Sequence, residues 1–137
     1  MKTRVLLVDD DLSVLAALSD LLRAEDYDVI DAFNGLNAIE RFQAAGGADI
    51  VLLDLNMPFW GGWKTFDQLT AINPLLPIII ITARPNPHPL AMAADALLEK
   101  PLEIPLLLAT MRRLLDEPPE VRAAAKALLL QGQPHAA

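Results

Sequence analysis

Residues 4–11 read Arg-Val-Leu-Leu-Val-Asp-Asp-Asp, four apolar side chains in unbroken succession followed by three carboxylates. A strand with one wet face alternates apolar and polar residues, whereas one covered on both faces is apolar at every position. Val5-Leu6-Leu7-Val8 is of the second kind, and so are Ile50-Val51-Leu52-Leu53 and Ile78-Ile79-Ile80-Ile81. Strands are predicted at Arg4–Val8, Asp28–Ala32, Asp49–Leu53, Pro77–Thr82 and Ala96–Glu99. Runs buried on both sides imply a parallel sheet sandwiched between helices.

The segments between these runs carry helical spacing. Leu15, Leu18 and Leu22 fall three or four apart, with Asp11 or Ser13 placed to cap their helix. A second helix opens at Asn34, runs through Ile39 and Phe42, and closes at Gly46-Gly47. A third spans Gly61 or Gly62 to Asn73, and Phe59, Trp60 or Trp63 would anchor it by packing. In the last, Ile104, Leu107, Leu108, Met111, Leu114 and Leu115 form one stripe, with Pro105 tolerated in the first turn and Leu106 off the stripe. Arg84-Pro85-Asn86-Pro87-His88-Pro89 forbids a helix before about Pro89, so the fourth helix, ending before Asp95, is shortened or irregular. Five strand–helix units in this order make an α/β, doubly wound, five-stranded parallel sheet. The domain is predicted over residues 3–116, and residues 117–137 form an extension with one short helix, Glu120 to Leu130, and a disordered tail.

Composition narrows the function. The chain has 137 residues, enough for one domain, and 53% of them are hydrophobic, enough for a packed core. Eighteen acids against eleven bases give a net charge of −7, which argues against a nucleic-acid partner. Cysteine is absent, so thiol catalysis, disulfides and thiolate metal sites are excluded. The first apolar run is too short for a signal peptide or membrane span. The expectation is a soluble cytoplasmic domain without a membrane partner.

The apolar strands end in polar groups: Asp9-Asp10-Asp11, Asp54, Thr82 and Lys100-Pro101. Open parallel sheets bind ligands outside the carboxyl ends of their strands, where the winding reverses. With strand order 2-1-3-4-5, Asp9, Asp10 and Asp54 converge, and Thr82 and Lys100 stand on the other side of the pocket. Three carboxylates so close raise one another's pKa. Lys100 returns one positive charge, and a divalent cation would neutralise the rest. Few protein ligands and hard oxygen donors favour Mg²⁺. A carboxylate nucleophile beside a metal, a lysine and a hydroxyl is equipment for phosphoryl transfer. Asp11 reads better as a helix cap than as a ligand.

These residues resemble a known family. Val5-Leu6-Leu7-Val8-Asp9-Asp10-Asp11, Leu53-Asp54-Leu55-Asn56-Met57-Pro58, Ile81-Thr82-Ala83 and Glu99-Lys100-Pro101 are similar to the motifs of the receiver domain of bacterial two-component response regulators. The resemblance implies a flavodoxin-like sheet of order 2-1-3-4-5. It further implies that Asp54 accepts a phosphoryl group from the phosphohistidine of a sensor histidine kinase or phosphotransfer protein. Asp9, Asp10, Asp54 and the backbone carbonyl of Asn56 would hold Mg²⁺. Thr82 would turn toward the phosphoryl oxygen, Ala83 leave room for approach, and Lys100 pair with the phosphoryl group. Arg84 occupies a position that influences phosphate lifetime, and Lys100–Pro101 one that is often cis.

Three departures bear on switching. The position three before the lysine, usually aromatic, is Leu97. Thr82 and Lys100 are closer in sequence than usual, and the acidic or serine residue that often precedes Gly62 is Gly61. The reading that follows is a single-domain response regulator, not an enzyme on a separate substrate, whose state changes its affinity for a protein partner. Self-association as a homodimer is left open. Two alternatives stand beside it: a receiver-fold interaction module that no longer switches, and a Mg²⁺-dependent aspartyl phosphohydrolase. The second is weakened by Asp54-Leu55-Asn56, which lacks the second acid of the Asp-x-Asp motif in haloacid dehalogenases.

Overall fold

The computed structural model describes residues 2–55, 57, 61–83 and 94–124. Its strands are β1 (Arg4–Val8), β2 (Asp28–Ala32), β3 (Ile50–Asp54), β4 (Ile78–Thr82) and β5 (Ala96–Glu99). Its helices are α1 (Leu12–Ala24), α2 (Gly35–Ala44), α3 (Gly62–Ile72) and α4 (Ile104–Asp116), the last of these following β5. The helix expected between Pro89 and Asp95 lies, but for Ala94, outside the described residues. All strand pairings are parallel, in the order β2-β1-β3-β4-β5.

The unbroken apolar runs feed two cores. Leu6, Val8, Val51, Leu53, Ile78 and Ile80 pack under Ala38 and Phe42 of α2 and Phe66 and Leu69 of α3. Val5, Leu7, Ile50, Leu52, Ile79 and Ile81 pack under Leu15, Leu18 and Leu22 of α1 and Leu107, Met111 and Leu114 of α4. Odd and even positions of one strand therefore serve opposite helix layers. Each such side chain withdrawn from water contributes about 1.5–3 kcal/mol before entropy is charged. The flanking stripe residues Ile104, Leu108 and Leu115 are half-buried at the margin of the second core.

Helix ends follow their capping chemistry. The Asp11 carboxylate accepts from the amides of Ser13 at 3.0 Å and Val14 at 3.3 Å, and Asn34 accepts from Asn37 at 2.8 Å. Beyond α2, Gly46 and Gly47 take φ of 79° and 103°, which a side chain would strain. Two strand starts differ by one residue from expectation. Asp49 stands just before β3, its carboxylate accepting from the Arg4 amide at 2.7 Å. Pro77 lacks an amide proton and gives only its carbonyl, to Val51 at 3.0 Å. Strand β3 instead extends to Asp54, which makes that carboxylate part of the sheet.

After α4, residues 119–124 are helical, one residue ahead of the expected start, and the remainder of the predicted helix and tail lies outside the described residues. No helix among the described residues is long and apolar enough to cross a membrane.

Candidate functional site

The site assembles where β1, β3, β4 and β5 end. Asp9 follows β1 and Asp54 closes β3, with 3% and 1% of their surfaces exposed, while Asp10 is open to solvent. One carboxylate oxygen from each of the three lies within 4.8 Å of the others. Lys100 enters from β5, its Nζ 3.4 Å from Asp54 Oδ2 and 3.7 Å from Asp9 Oδ2. Its own amide donates to the Thr82 carbonyl at 2.8 Å, which ties the lysine to the end of β4. Thr82 is buried, one residue beyond Ile81, the register partner of Asp54. Ala83 is exposed beside it.

Local backbone sets these carboxylates. The amide of Asp11 donates to Asp9 Oδ1 at 2.9 Å while the Asp11 side chain caps α1. Asp11 is thus spent on the helix, not on the cluster. Glycine at 62 lets the start of α3 lie against the chain leaving β3. A Cβ there would sit 2.6 Å from Leu55 Cα and 2.9 Å from the Asp54 carbonyl oxygen. Sequence reasoning saw Gly62 only as a helix start; two adjacent glycines opening a helix were the available signal for this close approach.

Burial is the main cause that pushes the Asp9 carboxyl above the usual carboxylate range. The Asp11 amide opposes it, Asp54 adds to it by repulsion, Lys100 opposes and Asp10 adds. Mutual repulsion, the cause expected from sequence, therefore acts behind desolvation at this residue. Three carboxylates and one ammonium sum to two negative charges, all on hard oxygen donors. The residues present fit one small divalent cation bound by few protein ligands.

Leu97 faces the core under α2 and α3, partly buried and in contact with that cluster. The Lys100–Pro101 peptide is cis. Trp63 packs edge-on against Phe66, ring centroids 5.9 Å apart at 76°. Asn56 and Arg84 lie outside the described residues, as do Phe59 and Trp60. A groove of about 400 Å³ adjoins the site along Leu98–Glu103 and exposed Leu106. A larger one, about 530 Å³, sits at the other end of the sheet around Lys2, Arg4 and Asp28 and holds none of the predicted site residues.

With this geometry in place, the family model of the response regulator receiver domain matches residues 5–112. The chain belongs to the response regulator receiver family. Among relatives of this receiver, Response regulator MprA of Mycobacterium ulcerans is 37% identical over 119 residues, covering 84% of this chain and 51% of that protein. The transcriptional regulatory protein CpxR homolog of Haemophilus influenzae is 33% identical over 117 residues, covering 82% and 50%. The receiver thus spans about half the length of the curated relatives it matches. Among solved structures, response regulator protein TrrA from Thermotoga maritima, in complex with Mg²⁺ and BeF, superposes with a TM-score of 0.75 at 29% identity, over 83% of this chain and 99% of that one. Chemotaxis protein CheY4 of Vibrio cholerae gives 0.76 at 28% identity, with the same coverage.

Proposed function

We propose that this receiver is a Mg²⁺-dependent phosphoacceptor that takes a phosphoryl group from the phosphohistidine of a sensor histidine kinase or phosphotransfer protein onto Asp54. The observation that carries this reading is the buried Asp54 carboxylate with Lys100 Nζ at 3.4 Å and oxygens of Asp9 and Asp10 within 4.8 Å. An Asp54 oxygen attacks phosphorus in line as the P–N bond to histidine breaks. The Lys100 ammonium meets charge on the phosphoryl oxygens, and the Thr82 hydroxyl donates to one of them. Asp9, Asp10, Asp54 and the Asn56 carbonyl would hold Mg²⁺, which supplies further charge neutralisation on the transferring group. Ala83, small and exposed, leaves the approach open, and Arg84 follows it at a position suited to tune how long the phosphoryl group lasts. Turnover is confined to the protein's own phosphorylation and dephosphorylation.

The acyl phosphate carries about −2 where the carboxylate carried −1. That change alters affinity for a downstream protein partner if the two states meet it differently. The chain's net charge of −7 supports a protein partner over direct contact with a nucleic-acid backbone. Free-standing, single-domain action in the cytoplasm belongs to the same proposal. The intact mass of the protein isolated from its source cells tests it against continuation into an output region, as in the longer relatives.

Fluoroberyllate, a mimic of the phosphoryl group, provides the main test. With Mg²⁺ it should shift the amide resonances of Thr82 and Lys100, and Asp54→Asn should abolish the shifts. Unmoved resonances in the unaltered protein overturn the proposal. A second reading, an interaction module that accepts phosphate without switching, is favoured by Leu97, which fills its core position without a ring to swing. Phosphotransfer that leaves structure and partner affinity unchanged would select it.

A further inference from the structure

The stretch after α4 contributes a buried cation to the end of the sheet opposite the carboxylates. Arg122, in the helical residues 119–124, is 7% exposed. Its Nε lies 3.1 Å from Asp95 Oδ1, and the Asp95 side chain is fully buried. Its other nitrogens donate to the carbonyl of Leu114, in the last turn of α4, at 3.4 Å and to that of Leu75, in the turn before β4. The second Asp95 oxygen accepts from the Ile78 amide at 2.8 Å. One guanidinium therefore joins α4, the α3–β4 turn and the starts of β4 and β5. A buried pair of this kind holds its geometry because either partner alone is costly in the interior.

What the pair fixes is β5. Among the described residues this strand lies at the edge of the sheet, hydrogen-bonded to β4 alone, and none of its own residues is fully buried. Its side chains Ala96, Leu97 and Leu98 pack only partly buried against the two cores, so the anchors at its ends share in setting its position. Asp95 anchors its start, donating its amide to the Ile78 carbonyl at 3.0 Å, and Lys100 leaves its other end. Four strand residues span only about 13 Å, so displacement at Asp95 is felt at the lysine. Asp9, Asp10 and Asp54 depend instead on β1 and β3, whose last positions are buried on both faces.

We propose that Arg122 is a positioning residue for Lys100, acting through Asp95 and strand β5. Linkage is reciprocal, so filling the phosphoacceptor pocket tightens the hold of residues 118–124 on the domain. This inference rests on the reading of Asp54 as phosphoacceptor.

The test uses the full chain, titrated with Mg²⁺ alone and then with fluoroberyllate at saturating Mg²⁺. Arg122→Gln and Asp95→Asn should weaken fluoroberyllate about fivefold or more and leave Mg²⁺ affinity unchanged. Arg122→Lys, which keeps the charge, should recover part of the loss. Asp95→Asn retains an acceptor for the Ile78 amide and carries the test if Arg122→Gln does not fold. In the unaltered protein, fluoroberyllate should slow hydrogen exchange at the amides of Val121 and Arg122, which donate to the Pro118 carbonyl. Parallel loss of both affinities, unchanged fluoroberyllate affinity, or exchange at these amides indifferent to fluoroberyllate overturns the proposal. A wild-type chain that binds Mg²⁺ but not fluoroberyllate overturns the phosphoacceptor reading itself, a result visible before any variant is made.

Discussion

At the N-terminal ends of the strands each carboxylate meets a donor from its own chain. Asp95 faces Arg122 at 3.1 Å, Asp28 faces Arg4 at 3.3 Å, and Asp49 accepts the Arg4 amide at 2.7 Å. At the C-terminal ends, Asp9 and Asp54 are buried as Asp95 is, and although Asp9 also accepts the Asp11 amide the two share one lysine and crowd Asp10. One end is arranged to be stable with nothing added. The other holds excess negative charge that folding alone would disfavour, which is the charge the proposed Mg²⁺ would neutralise.

The comparison breaks first at Asp54. Asp54→Asn should remove phosphoryl acceptance entirely, measured as loss of label from a phosphorylated kinase, while leaving the unfolding midpoint equal or higher. A variant that lost stability instead would make Asp54 a structural carboxylate and erase the contrast between the two ends. The opposite pattern is expected at Arg122, where Arg122→Gln leaves Asp95 buried without its cation. Urea unfolding should show a loss of about 3 kcal/mol, in the range for breaking a buried pair. A loss near zero would mean that the pair is solvated on the timescale of unfolding.

Gly62 tests the site end through its backbone. Gly62→Ala adds a methyl where Leu55 Cα lies 2.6 Å away and the Asp54 carbonyl 2.9 Å away. Alanine's better helix propensity, about 1 kcal/mol, is opposed by an overpacking cost of about 1–3 kcal/mol. The expected result is a small net destabilisation with weakened fluoroberyllate binding, because α3 must retreat from the residue that carries the acceptor. Unchanged binding would show that α3 can move without disturbing Asp54.

The fold is legible in the sequence because the patterns that specify it are local. Ile50–Leu53 and Ile78–Ile81 declare two-sided burial within four residues each, Asp54 and Thr82 follow such runs directly, and Lys100 follows the shorter strand Ala96–Glu99. The strand order then brings Asp9, Asp10, Asp54 and Lys100 to one end of the sheet, a convergence legible before the distances were. The Arg122–Asp95 pair left no comparable trace. Its members lie in different segments, each ordinary in composition, and only the fold makes them neighbours. Gly62 was hidden for a related reason, since its importance lies in what approaches it rather than in its own conformation.

The finest discrimination between the two ends comes from pH. Burial raises the Asp9 carboxyl above 3.8, so the folded chain keeps this proton to higher pH than the unfolded chain does. Between 3.8 and the raised value the folded state binds more protons, and the contribution of Asp9 to stability falls as pH rises. Without Mg²⁺, Asp9→Asn should remove that fall, leaving the variant more stable than wild type near neutrality. Below 3.8 the two should converge, since wild type is then protonated in both states. Added Mg²⁺ should reverse the ranking at neutral pH, because it binds more tightly to, and so stabilises more, the chain that retains all three carboxylates, and lowering the pH should weaken its binding as the proton returns. If the two stability curves instead run parallel across this range, Asp9 is matched within the fold as Asp95 is, and the surplus charge must be sought in Asp10 and Asp54 alone.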